Sequence, residues 1–212
     1  KKLLEVCSDI VSIVLKRQEE EKKLVRLAHY DPLTKLPNRA LFIDRFGQAA
    51  AHSQRTKTML AICFIDLDNF KPINDNFGHD AGDTLLVQIA DRIKQTIREE
   101  DTVSRQSGDE FTLLLRDVES YEQCEQVVNR VYHNLEQPYM VNGIQHTISA
   151  SSGITLYPLD NSDIDTLIRH ADHAMYEAKQ SSRNKYSVFN PDLDEKVILK
   201  NNRVNEIEEA LS

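Results

Sequence analysis

Two short acidic stretches in this chain have the residue types and spacing to hold a divalent cation beside a phosphate. One is Arg105-Gln106-Ser107-Gly108-Asp109-Glu110-Phe111, where adjacent carboxylates sit on a small-residue turn between apolar, strand-like runs. Such a turn presents acid side chains at a sheet edge and leaves its backbone N–H groups open to approach. The other is Phe64-Ile65-Asp66-Leu67-Asp68-Asn69-Phe70-Lys71, the end of an apolar strand. Residues two apart on a strand point the same way, so Asp66 and Asp68 leave opposite Ile65 and Leu67. If the strands lie side by side, Asp66 meets Asp109 or Glu110, and clustered carboxylates repel unless a cation sits between them. Either pair alone reads as solvated acids; the two together favour an Mg2+ site.

Three further groups stand near these stretches in sequence or charge. Asn74-Asp75-Asn76-Phe77-Gly78-His79-Asp80-Ala81-Gly82-Asp83 reads as a loop before a long helix, with Gly78 and Gly82 permitting close backbone approach. Asp83 is either a first-turn acid favoured by the helix dipole or an acceptor for guanine N–H groups, with Asn74 able to donate and accept. Spacing alone favours the cap. Lys179 and Arg183 lie four apart and share a helix face, as solvated C-terminal cations or as phosphate ligands. Arg98 and Asp101, three apart, are explained by an intrahelical ion pair worth about 0.2–0.5 kcal/mol. The histidines and cysteines show no zinc spacing, and neither a P-loop nor a Gly-x-Ser-x-Gly elbow is present.

Positioning these residues requires one α/β core. The chain has 212 residues, enough for one sizeable core plus extra helix. At 40% hydrophobic and 28% charged it reads as an ordinary globular protein. A net charge of −8 argues against a DNA or RNA surface, though one nucleotide can be neutralised locally. No apolar run approaches the roughly 18 residues needed to span a bilayer, and no signal-peptide pattern appears. Three separated cysteines (Cys7, Cys63, Cys124) fit a reducing cytoplasm; a longer parent protein could still be membrane-associated.

Residues 3–29 read as one helix with a heptad-like seam through Leu3, Val6, Ile10, Ile13, Leu24 and Leu27, interrupted at Arg17 and Glu20. A helix this long, polar in its middle, pairs with a copy of itself or packs on its own domain. Prolines at 32 and 37 break it, and Asn38 caps a helix over 39–54. Then follow a buried strand at 59–66, a helix at 81–99, hairpin strands at 102–106 and 110–116, and a helix at 121–137. Strands at 139–141 and 145–156, a helix at 163–181, a strand at 186–189 and a helix at 192–211 complete the pattern. The fold class is α/β (α+β): a central, mostly antiparallel sheet flanked by helices that cover one face. Residues 1–29 form an N-terminal signalling helix, 30–190 the domain, and 191–212 a helical linker.

Five ordered motifs carry a family resemblance: Asp31-Pro-Leu-Thr-x-Leu-Pro-Asn-Arg39, Phe64-Ile-Asp-Leu-Asp-x-Phe-Lys71, Asn74-Asp75-x-x-Gly78-His79-x-x-Gly82-Asp83, the turn at 107–111, and Ala171-Asp172-x-Ala174-Met175-Tyr176-x-Ala178-Lys179. From about Tyr30 to Phe189 the chain resembles the GGDEF family of diguanylate cyclases. The resemblance implies a fold like nucleotidyl cyclases and polymerase palms, and condensation of two GTP into cyclic di-GMP with release of two pyrophosphates. It implies Mg2+ (or Mn2+) on Asp66 and Asp109 with the Leu67 carbonyl, and Glu110 supporting the metal or the attacking 3′-hydroxyl. It also implies guanine on Asn74 and Asp83, phosphates on Lys71, Lys179, Arg183 and the Gly108 turn, and a product-inhibition site at Arg98 and Asp101. Each domain binds one GTP, so a homodimer through the N-terminal helix is implied.

Two positions depart from the family pattern. Ser107 stands where the signature has its first glycine, costing about 1–2 kcal/mol if that position needs positive φ. Ser182 replaces the glycine usual before Arg183. Toward the ends, Asp9–Leu15 resembles the last helix of a GAF-type sensory domain, and Arg203–Leu211 resembles the lead-in to an EAL phosphodiesterase. The chain therefore reads as part of a composite protein. The alternative function is a catalytically weak GTP- or cyclic di-GMP-binding regulatory domain controlling an adjoining EAL phosphodiesterase.

Overall fold

The computed structural model describes residues 2–180 and 185–190. Its elements run α1 (Lys2–His29), α2 (Arg39–Thr56), β1 (Met59–Asp68), α3 (Phe70–Phe77), α4 (His79–Thr96), β2 (Thr102–Ser107) and β3 (Glu110–Val118). They continue with α5 (Tyr121–Leu135), β4 (Tyr139–Val141), β5 (Ile144–His146), β6 (Ser149–Tyr157), α6 (Ile164–Gln180) and β7 (Tyr186–Val188). The main sheet has the order β2-β3-β1-β6-β7. Every pairing in it is antiparallel except β6 with β7.

The central strand β1 sets the layout. Leu60 through Ile65 are buried without a break, and a strand buried on both sides needs cover on both faces. Ala61, Cys63, Ile65 and Leu67 join Phe70 and Ile73 of α3, Leu85 and Ile89 of α4, and Val128 and Tyr132 of α5. The alternate residues Leu60, Ile62 and Phe64 join Phe42 and Phe46 of α2 and Leu167 and Ala171 of α6. Helices therefore cover both faces, not one as the element pattern implied. The signal was in the sequence: a run of apolar residues with no polar alternation.

Other boundaries moved for local reasons. The expected loop before the long helix is itself helical, with Phe70 and Ile73 buried one turn apart in α3. Gly78 at φ +85° both ends α3 and precedes α4, a conformation only glycine adopts without strain. At its far end α4 stops at Thr96, because Ile97 turns extended (φ −90°, ψ 166°). The expected strand over 145–156 divides into β5, which pairs with β4 in a separate hairpin, and β6 in the main sheet. Asn38 caps α2 as its sequence promised, its side chain accepting from Leu41 N–H at 3.1 Å. The expected helix over 192–211 lies outside the described residues, as do Ser182 and Arg183.

Along its described side chains α1 is exposed: Ile13, Val14, Leu15, Leu24, Val25 and Leu27 all face solvent. Among the described side chains, its last turn is tied to the domain. Asn38 donates through its backbone to the His29 carbonyl and through its amide to the Ala28 carbonyl, both at 2.9 Å.

Candidate active site

Register in the sheet brings the two acidic stretches together. Asp66 at the end of β1 lies directly across from Glu110, the first residue of β3. The Leu67 N–H donates to the Asp109 carbonyl at 3.3 Å, which holds the turn against the strand end. Burial pushes the Asp66 carboxyl above its usual range, and the Asp109 and Glu110 charges push the same way; Lys179 pulls against them. Lys179 Nζ, from the last turn of α6, lies 2.6 Å from Asp66 Oδ1. One ammonium thus faces three carboxylates, an arrangement that leaves uncompensated negative charge for a cation. Among the described residues no group of three or more His, Cys, Asp or Glu side chains is placed to hold a metal ion by itself. An oxygen-only set of few protein ligands suits Mg2+, which keeps waters and takes phosphate oxygens.

Asp68 does not join this cluster. Its two carboxylate oxygens accept from Ser149 Oγ and Ser151 Oγ of β6, each at 2.8 Å. The two strand-end acids share a face, as alternation requires, but divide between opposite neighbours of β1.

The signature turn is anchored by a residue that carried no assigned role in the sequence. Arg105 Nε and Nη2 donate to the Gly108 carbonyl at 2.9 and 2.7 Å, and Nη1 donates to Asp31 Oδ1 at 3.1 Å. Asp31 Oδ1 also accepts from Thr34 N–H and Thr34 Oγ. Burial alone would raise the Asp31 carboxyl, but the Thr34 and Arg105 donors hold it below its ordinary value. The Arg105 N–H donates to the Pro37 carbonyl at 3.1 Å, so α1's exit loop and the turn are fastened through one arginine. The usable signal was a buried-side arginine placed just before an acidic turn, with an Asp-Pro-Leu-Thr break far upstream.

Within the turn, positive φ falls on Gly108 (+44°), while Ser107 has an ordinary backbone. The strain considered for serine at this position is therefore absent. Its hydroxyl donates to Glu110 Oε2 at 2.5 Å, fixing that carboxylate over the turn.

Beside the turn opens a cleft of about 260 Å3, lined by Lys71 and Asn74 of α3, Asp83 of α4, and Arg105, Gly108 and Asp109 of the hairpin. Phe70 and Leu86 supply its apolar floor and His79 a further wall; these three had no assigned role in the sequence. The cleft thus joins the amide and carboxylate suited to guanine, one lysine, and the acidic turn. Arg98 and Asp101 stand elsewhere, past the end of α4 and not on it. Asp101 Oδ2 accepts from Arg98 N–H at 3.1 Å and Oδ1 from Arg116 N–H at 3.0 Å. The carboxylate is a loop clasp rather than half of a helical ion pair. Burial raises its pKa against the pull of those two N–H donors, while Arg98 is exposed.

A family model described as "Diguanylate cyclase, GGDEF domain" matches residues 28–185. The chain belongs to the GGDEF domain family. It is 41% identical over 186 residues to the bifunctional diguanylate cyclase/cyclic di-GMP phosphodiesterase MucR of Pseudomonas aeruginosa, covering 88% of this chain and 27% of that protein. Diguanylate cyclase TpbB of the same species is 41% identical over 78% of this chain and 38% of its own. Cyclic di-GMP phosphodiesterase PdeR of Escherichia coli is 35% identical over 91% of this chain and 28% of its own. The chain therefore spans well under half the length of these relatives. Among solved structures, the GGDEF domain of TpbB superposes with a TM-score of 0.73 at 38% identity, covering 81% of this chain and 99% of that one. The GGDEF fold of this domain, a palm-like sheet flanked by helices, is thereby established. No helix among the described residues is long and apolar enough to cross a membrane.

Proposed function

We propose that this GGDEF domain is a diguanylate cyclase that condenses two GTP into cyclic di-GMP. The observation that carries the reading is the placement of Asp66 across from Glu110, with Asp109 pinned to Leu67, beside a cleft that holds Asn74 and Asp83. Asp66 and Asp109, with the Leu67 carbonyl, would hold Mg2+ or Mn2+. Bound there, the metal supplies charge neutralisation at the reacting phosphate and a lowered pKa for the attacking hydroxyl.

The chain's own residues do the rest. Asn74 and Asp83 bind the guanine edge, while Phe70 and Leu86 exclude water from one side of the base. Lys71, Lys179, the Gly108 turn and Arg183 contact phosphates. In each half-reaction the 3′-hydroxyl oxygen of one GTP bonds to the α-phosphorus of the other. The bond to the β-phosphate bridging oxygen breaks, pyrophosphate leaves, and Glu110 takes or relays the hydroxyl proton. Ser107 holds Glu110 on the turn for that purpose.

A single cleft binds one GTP, so two domains must meet face to face. The exposed apolar residues of α1 support a homodimer through that helix, in a cytoplasmic setting where GTP is available. The bifunctional cyclase/phosphodiesterase name of MucR supports an adjoining phosphodiesterase domain, and the phosphodiesterase name of PdeR favours the second reading, a GTP-binding regulator of such a domain. GTP turnover measured across protein concentration separates them. A cyclase gives cyclic di-GMP at a rate rising faster than linearly as dimers form. Binding without product in a verified dimer would overturn the cyclase reading and leave the regulator.

A further inference from the structure

We propose that Gly82 is a specificity-determining positioning residue: its missing side chain is the seat of the Asn74 amide. The inference rests on the reading of the cleft as a GTP site and names the residue that sets its base-reading group. Gly82 is buried in the first turns of α4, where a glycine is disfavoured relative to alanine. Its backbone does not require glycine, because the glycines with positive φ are Gly78, Gly108 and Gly143. Space is what requires it. A Cβ at Gly82 would come within 1.9 Å of Asn74 Oδ1, 3.0 Å of its Cγ and 3.2 Å of Phe70 Cζ.

The obstacle decides what an added methyl does. Asn74 Oδ1 is the far end of a side chain with two free torsions, so the amide yields before the helix does. The Asn74 backbone is held, since its carbonyl accepts from the Gly78 N–H at 2.9 Å and Gly78 in turn accepts from Gly82 N–H at 3.3 Å. Displacement therefore falls chiefly on the amide, with the Phe70 ring giving by a few tenths of an ångström, within the cleft lined by Asn74, Asp83 and Phe70. Gly82 and Asp83 are neighbours, so the carboxylate and the amide that read guanine are set by one turn of α4.

The test is calorimetric binding of a non-cleavable GTP analogue with Mg2+ to the parent chain, Gly82→Ala, Asn74→Ala and the double variant. Loss of one neutral hydrogen-bonding partner weakens binding roughly three- to tenfold, and Gly82→Ala should match Asn74→Ala. The double variant should bind no more weakly than Asn74→Ala, because the methyl then has no amide to displace. Alanine is the better helix former, so the thermal midpoint of Gly82→Ala should not fall below the parent's. Parental affinity in Gly82→Ala, full multiplication of the two losses, or a lowered midpoint accompanying the loss would each overturn the inference. If the parent chain itself fails to bind the analogue, the GTP reading falls and this one with it; an unaffected Gly82→Ala beside a binding parent overturns this one alone.

Discussion

Lys179 Nζ lies 2.6 Å from Asp66 Oδ1, so the last turn of α6 closes onto the strand end that carries the acidic site. Even with that partner, burial and the neighbouring Asp109 and Glu110 charges leave the Asp66 carboxyl above its ordinary value of 3.8. The folded chain therefore holds the Asp66 proton more tightly than the unfolded chain. Stability falls as pH rises through the window above 3.8, and the whole penalty is in place at neutral pH.

Asp66→Asn should accordingly raise the thermal midpoint at pH 7 while abolishing the proposed cyclase turnover. The advantage should shrink as pH is lowered into the carboxylate range, where the parent's carboxylate takes up its proton too. Thermal unfolding of both proteins across pH 4–8 reads this directly. A variant less stable than its parent at pH 7 would mean that the Lys179 pair, not the crowding of charge, dominates.

Arg105 offers a stability and an activity prediction with the same sign. Its side chain and that of Asp31 are 12% and 16% exposed, and its removal leaves Asp31 without a cation and the Gly108 carbonyl without two donors. Breaking a largely buried, charge-assisted cluster costs about 2–4 kcal/mol. Arg105→Ala should lose that much in urea denaturation and most of its turnover, because the signature turn loses its anchor. Arg105→Lys keeps the charge but not the fork, and should recover stability more than activity. A loss under about 0.5 kcal/mol, the range of neutral surface changes, would rule the anchor out.

How legible all this was follows from which signals are local. Asn38 and the hairpin strands could be read from the sequence because capping and period-two alternation act over a few residues, whereas the meeting of Asp66 with Asp109 or Glu110 was conditional on β1 lying beside β3. The Arg105 anchor could not: Asp31 is 74 residues away in sequence, and nothing in either segment names the other. The same holds for Asp68, which looked equivalent to Asp66 until Ser149 and Ser151 claimed it from across the sheet. The covering of both sheet faces was in principle readable from the unbroken Leu60–Ile65 run, whereas the order of elements alone suggested cover on one face. Gly78 marked a break correctly, yet a break between two helices resembles a loop in sequence.

Ser107 is the visible departure from the family signature, and its backbone carries no positive φ. Restoring glycine should therefore relieve no strain. Ser107→Gly adds freedom to the unfolded chain and frees Glu110 from a 2.5 Å hydrogen bond, costing about 0.5–1 kcal/mol. Denaturation should show that loss, and turnover should not rise. A gain in both would show that serine impairs the domain.

Arg98 and Asp101 are unequal probes of the proposed product-inhibition site, although their spacing presents them as a pair. Asp101 is 8% exposed and satisfies two backbone N–H groups, from Arg98 and Arg116. Asp101→Ala leaves both part-buried N–H groups without their acceptor, at about 1 kcal/mol or more in total. Its effect on inhibition would be confounded by loosening β3 at Arg116. Arg98 is exposed, and its backbone rather than its guanidinium makes the contact to Asp101, so Arg98→Ala should leave stability within about 0.5 kcal/mol of the parent. If cyclic di-GMP docks there, Arg98→Ala should weaken its binding by roughly tenfold or more, the scale of a lost charged hydrogen bond. Calorimetric titration with cyclic di-GMP, beside unfolding curves, separates the two residues. Unchanged product affinity in a fully stable Arg98→Ala would remove the inhibitory site from this face of the domain.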